Sequence, residues 1–325
     1  MKHVLTPLAG AIALLAATFT MAASAEPVHI AVPTWVGFGP FYVARDMDFF
    51  AKHGVDVVLT ASDDAKQHYP LLLAGKYEMV AGAVGTSVLY IKNADDVQYV
   101  TVLDDSNGGD GVLARNDVTT LAGLKGKSIA VNISALPEFY LNVLLRQAGL
   151  TEGDVFVVDM APAAAGRAFM RKEVEVAVTW EPFLSEAKRT DFGHLLTDST
   201  GVPGLLADAL VVRRQFVRDH PEQVKAVVAG WNDAVAFVGT HPAEAAEIMA
   251  RNFGGWLKNL SAIAEAIQTV RYYGTEDSRV MFGTAAQPGP IYATLQEAID
   301  IWTSLGRVKI KVTPEDIMNY TFVGS

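Results

Sequence analysis

From Val28 onward the chain alternates short β-branched runs with amphipathic stretches, each pair separated by glycine, proline or aspartate, and this rhythm constrains the fold more than any other feature. Val28 to Val32 reads as a strand ended by Pro33, and the loop 34–40 leads into a helix carrying Phe41, Val43, Ala44 and Met47. Gly54 closes that helix in the position where a left-handed residue caps a C-terminus. A second strand is expected over 55–60. Asp63 or Asp64 then caps a helix that stops at Gly75. A third strand over 78–81 runs into a glycine turn (Gly82, Gly85) and a helix started by Thr86 and Ser87. Strand–helix alternation with short connections specifies an α/β fold with a largely parallel sheet. Such a sheet binds ligands outside the carboxyl ends of its strands, so the strand-to-helix loops are where function is sought.

The next strand, 99–103, is broken by Asp104-Asp105-Ser106-Asn107-Gly108-Gly109-Asp110, and direction recovers over 111–115. Strands are then expected over 128–131, 155–158 and 174–178, with helices opened by Pro137 and spanning 163–170. The restart near residue 118 predicts a second domain. One further strand over 209–213 precedes a helical C-terminal part, with Pro221, Pro242 and Pro314 at helix starts. This order lets the chain cross twice between two lobes with a cleft between them.

Residues 1–25 read as a secretory signal: Lys2 and His3, an apolar run from Leu8 to Ala17 too short to span a bilayer, then Ala23-Ser24-Ala25 as a cleavage site. The processed chain of 325 − 25 = 300 residues suffices for one large or two medium domains. The absence of cysteine excludes disulfides, thiolate metal sites, a cysteine nucleophile and a lipid-anchoring cysteine. A chain that is secreted yet not anchored suits a periplasm. A net charge of −10 without a Lys/Arg-rich run argues against nucleic acid as a partner.

Four segments carry a family likeness: Gly37-Phe38-Gly39-Pro40-Phe41-Tyr42-Val43-Ala44-Arg45 running into Phe49-Phe50 and Gly54-Val55-Asp56-Val57; Leu121 to Lys127; Phe139 to Gly149 with the strand after Asp154; and Thr179-Trp180-Glu181-Pro182. Together they resemble the nitrate/sulfonate/taurine group of ABC-importer substrate-binding proteins, with its NMT1/THI5-like branch. The resemblance implies a two-lobed, type II periplasmic binding protein fold that closes over a small-molecule ligand and delivers it to a membrane permease. It divides the chain into lobe one (26–117 plus 204–325) and lobe two (118–203), and it implies a non-enzymatic monomer; no metal, nucleotide or flavin motif is visible in the sequence, so no cofactor or metal is expected. A cysteine-dependent pyrimidine synthase shares the group; its chemistry is not available to a chain without cysteine.

The candidate site residues follow from position. Trp35 follows the first strand and can wall a cleft, stacking on a planar or cationic solute; a core tryptophan is the plainer alternative. Trp180 and Glu181 end a strand of lobe two, where a carboxylate needs a partner, either a solute or an arginine. Asp105, Asp110 and Asp208 fall near the crossings. Asp105 and Asp208 suit a ligand role and a turn role equally, and Asp110 reads as a turn former. Thr86 and Ser134 precede expected helices, as N-caps or as part of an anion site. Phe38 and Phe139 are placed at the cleft or in the core.

A pure anion receptor should carry lysine or arginine in these loops, yet Lys66 and His68 are the obvious candidates there. Glu181, Asp105 and Asp208 with two tryptophans suit instead an amine, a guanidinium, an aminosulfonate or a pyrimidine-like solute. Two rivals stay open: a cleft enzyme using Glu181 and Asp208, whose chemistry leaves no sequence signature, and a solute sensor serving a membrane receptor. His68, His194 and His220 show no metal spacing and read as surface or capping residues.

Overall fold

A computed structural model describes residues 26–62, 65–307 and 312–323. The expected signal segment 1–25, the caps at Asp63 and Asp64 and the side chain of Lys66 lie outside what is described.

Eleven strands are assigned among the described residues: β1 (Val28–Pro33), β2 (Val57–Ser62), β3 (Met79–Ala83), β4 (Val97–Ser106), β5 (Asp110–Arg115), β6 (Ser128–Val131), β7 (Phe156–Asp159), β8 (Val176–Trp180), β9 (Gly193–Asp198), β10 (Ala207–Arg213) and β11 (Val270–Tyr272). They build two sheets, ordered β11-β4-β10-β3-β1-β2 and β7-β6-β8-β5-β9. β1 pairs in parallel with β2 and β3, and β6 with β7 and β8. The remaining pairings are antiparallel: β10 sits between β3 and β4, β5 between β8 and β9, and β11 flanks β4 at the sheet edge. β10 and β5 are each the first strand after the chain crosses between sheets.

The crossings are residues 107–109 and 199–206. They are tied to each other and to the strands beside them. The Ser106 and Ser199 hydroxyls meet at 2.9 Å, and Ser199 Oγ also accepts the Gly108 N–H at 2.7 Å. The expected boundary at 117 leaves residues 110–115 with the first lobe. Residues 110–115 exchange their ladder hydrogen bonds with β8 and β9, so they belong to the second sheet. The run Asp104-Asp105-Ser106, expected to break β4, instead continues it. The ladder partners Asp208 and Ala207 on one side, and Tyr272 and Arg271 on the other, hold it extended.

Apolar side chains alternate onto both faces of each sheet, as sheets buried on both sides require. One core, with Phe41, Trp231 and Met249, lies between the first sheet and helices Gly39–Asp46, Pro221–Thr240 and Pro242–Asn252. A smaller one around Phe169 and Leu184 backs the second sheet. The largest runs through both sheets. Val80 from the first, with Tyr69 and Leu72 of helix Ala65–Leu73 beside it, is continuous with Val112, Ile129 and Val131 from the second through Phe139, Leu295 and Trp302. No helix among the described residues is long and apolar enough to cross a membrane.

Candidate functional site

Register brings the ends of the strands to one place. β3 ends at Ala83, β4 at Ser106 and β8 at Trp180, while β10 begins at Ala207 and β5 at Asp110. Asp208 lies opposite Asp104 on one side and Ala83 on the other, and Asp110 lies opposite Trp180. The carboxyl ends of the parallel strands in both sheets therefore face the crossings, where such folds bind solutes.

Trp35 leaves β1 toward this place. Its indole N–H donates to Asp104 Oδ1 at 2.9 Å. Its ring also lies against Gly109 of the first crossing, where an added Cβ would come within 2.9 Å of ring atom Cη2. The carbonyl of Gly109 in turn accepts the Glu181 N–H at 3.0 Å. Trp35, after a strand of one sheet, and Glu181, after a strand of the other, thus meet the same crossing residue, and Trp180 lies opposite the next residue, Asp110. Next to the crossing are four aspartates, Asp104, Asp105, Asp110 and Asp208, which are 0, 4, 7 and 5 % exposed.

Burial on that scale disfavours carboxylate charge. It pushes Asp104 up to about 7, against the lowering effect of the Trp35 N–H. Burial likewise raises Asp105 to about 6, although the Gly204 N–H, donating at 2.7 Å to Oδ2, and nearby Arg271 oppose it. Asp110, beside the Ser106 hydroxyl, is also raised to about 6. Asp208 goes well above the ordinary carboxylate range, through burial and the adjoining charge of Asp104.

Other sequence candidates take other places. Glu181 finds its partner in the helix Phe183–Ala187 that follows it: Ser185 donates its N–H to Oε2 at 3.1 Å and its hydroxyl to Oε1 at 2.8 Å, so neither an arginine nor a solute is needed to satisfy it. Phe38 is buried in the core between the first sheet and its helices. Phe139 is fully buried against Gly85 and, at 6.3 Å between centroids, Trp302, which makes it a packing residue between the sheets. Neither Thr86 nor Ser134 caps a helix. Thr86 sits inside helix Val84–Ser87, whose cap is Ala83, and its Oγ1 is buried without a partner. Ser134 takes φ 55° one residue before the cap Ala135, and its N–H donates to Glu138. His68 is buried, its ring edge-on to Tyr77, and is not the surface residue expected. Among the described residues no group of three or more His, Cys, Asp or Glu is placed to hold a metal ion.

Sequence reasoning missed Asp104 because it took the acidic run for a turn. The available signal was the unbroken apolar strand Val100 to Leu103 leading straight into it. It also missed Gly37, where a Cβ would overlap both the Asp104 carboxylate and the Trp35 indole nitrogen.

The model of the family described as NMT1/THI5 like matches residues 35–245, which include this whole constellation. The chain belongs to that family. It is 29 % identical over 229 residues to the taurine-binding periplasmic protein of Escherichia coli, covering 68 % of this chain and 70 % of that one. A protein of Brucella abortus named as a binding protein is 24 % identical across 88 % of this chain and 89 % of its own. In architecture the chain is similar to the periplasmic aliphatic sulphonate binding protein of Escherichia coli, with a TM-score of 0.74, 19 % identity and coverage of 91 % and 93 %. The fold is thus the periplasmic binding protein fold, and these relatives are named for binding rather than for catalysis.

Proposed function

We propose that this member of the family is the periplasmic solute-capturing component of an ABC importer. It would hold a small nitrogen- or sulfur-bearing solute, such as an amine, a guanidinium, an aminosulfonate or a pyrimidine-like compound, and hand it to a membrane permease. The two sheets with their helices act as two lobes, hinged at 107–109 and 199–206. The observation that carries the reading is the meeting of Trp35, Trp180 and the buried aspartates at one crossing, at the carboxyl ends of strands from both sheets. Two indoles supply flat apolar walls and the aspartates supply acceptors, the mixture that fixes a small polar solute.

The test is a thermal-shift screen of residues 26–325, refolded to strip carried solute, against taurine, alkanesulfonates, nitrate, aminopyrimidines, guanidinium compounds and small amines. A solute present at about 100 times its Kd adds about 2.7 kcal/mol of stability. The expected result is a hit that Trp35→Ala and Trp180→Ala abolish, with the solute recovered chemically unchanged by mass spectrometry. A hit indifferent to both substitutions would displace the site, and turnover of the solute would replace capture by catalysis.

A further inference from the structure

Asp104 and Asp208 face one another across neighbouring antiparallel strands, both deeply buried. Asp104 Oδ1 accepts from the Trp35 indole, Oδ2 has no N–H or hydroxyl partner, and the Asp208 carboxyl lies within hydrogen-bond reach of the Asp104 carboxyl. Thr86, three residues beyond the Ala83 that flanks Asp208 on its other side, also holds a buried hydroxyl oxygen without a partner. The charged groups facing the pair are Asp105 from β4 and Asp110 from β5. Tyr69, Tyr272 and Tyr273 approach from the remaining elements as neutral phenols. Arg271 acts on Asp105 and is already paired with Asp277 at 2.8 Å.

Resting on the solute-capture reading, we propose that the solute is a small organic cation with N–H donors, of the amidinium or guanidinium class, and that it displaces a proton shared by Asp104 and Asp208. Two carboxyls facing each other out of water cannot both be ionised, so one O–H lies between them. The arriving cation brings one positive charge and N–H donors to the oxygens that lack them. The proton leaves to solvent, and the net charge of the site is unchanged. A sulfonate brings instead a second negative charge beside four aspartates whose cationic neighbour is already committed. Burial raises both members of the pair, in keeping with a resident proton.

The experiment has a solute-free arm and a solute arm. A carboxyl with a raised folded pKa holds a proton the unfolded chain has already lost. Its contribution to stability is therefore full at low pH and is lost as pH rises through the folded value. Between about pH 5 and about pH 8 the melting temperature of the solute-free protein should fall more steeply than that of Asp208→Asn or Asp104→Asn, the near-isosteric variants. Equal slopes in all three overturn the shared proton, whatever the protein binds. In the second arm, calorimetry with methylguanidinium should show Kd falling about tenfold from about pH 5.5 to about pH 6.5, with about one proton released, and Asp208→Asn should remove that dependence. A pH-independent Kd overturns the exchange. Binding of methanesulfonate in place of methylguanidinium overturns the cation class while leaving solute capture standing. No methylguanidinium binding by about 50 mM, a Kd above which affinity is below about 2 kcal/mol, overturns the cation class as well.

Discussion

Gly37 is the point at which the Trp35 indole and the Asp104 carboxylate close on the backbone, and it has no left-handed φ to explain it. Its role is space. Gly37→Ala should therefore separate the 2.9 Å indole–carboxylate bond or shift the 34–38 turn. Overpacking of this kind costs about 1–3 kcal/mol. Urea unfolding should show the loss, and a changed Trp35 emission would show which partner moved; unchanged stability and emission would mean that the turn yields freely. At this scale the sequence was legible where a residue stood at a strand end, as with Trp35, Trp180 and Asp208. It was opaque where turn chemistry and site chemistry use the same letters. Aspartate is depleted in strands and favoured in turns, so Asp104, Asp105 and Asp110 read as a break. Their burial in the ladder breaks that local rule, and such violations concentrate at functional positions.

Helix Leu136–Gln147 follows a strand of the second sheet, and helix Pro290–Ser304 packs on the 84–87 turn of the first, so contact between these two helices joins the halves. Glu138 is fully buried at this junction, with its carboxylate accepting from the Ser134 N–H and from Arg307 Nη2 at 2.7 Å. Removing only the cation strands a buried charge, which costs about 3–5 kcal/mol. Arg307 is 32 % exposed, so water tempers that figure, and the expected loss in Arg307→Met is about 2 kcal/mol. Adding Glu138→Gln should restore most of it, which a double-mutant cycle reads directly; full additivity would show that the pair is not coupled. By contrast Arg146–Glu297, 3.0 Å apart but 41 and 38 % exposed, should contribute under about 1 kcal/mol. The strands of the alternating rhythm were legible because their apolar runs are bounded by glycine or proline. β9, Gly-His-Leu-Leu-Thr-Asp, and the three-residue β11 were not. Both pair on one side only, at sheet edges, and carry no apolar pattern that distinguishes a strand from a loop.

At the scale of the molecule, the two halves are joined by the crossings, by the 136–147 and 290–304 helices with the core that runs between the sheets, and by a close approach of Phe139 on Gly85. Gly85 is the second residue of the short helix after β3, Phe139 lies in the first turn of the helix after β6, and a Cβ on Gly85 would overlap the phenyl ring. Trp302 holds the same turn from behind, its indole N–H donating to the Gly85 carbonyl at 2.6 Å. A side chain at 85 therefore cannot be absorbed by moving the turn, and the path left to it is rotation of one sheet away from the other about 107–109 and 199–206. Gly85→Val should act as a wedge. In small-angle scattering the solute-free variant should exceed the wild type in radius of gyration by about 1 Å, against about 19 Å for a compact chain of 300 residues. On the solute-capture reading, the approach of Trp35 to the crossing residue that Glu181 also meets belongs to the binding-competent arrangement, so the variant should also bind its solute at least about tenfold more weakly, the cost of about 1.4 kcal/mol of opening. The core shared by the two halves around Phe139, Leu295 and Trp302 loosens with the wedge, so a fall in melting temperature should accompany the loss of affinity. A wedge variant that melts early but binds normally once folded would place Gly85 in the core of one half and detach it from closure. Unchanged scattering with weakened binding would put the defect at the Thr86 turn itself.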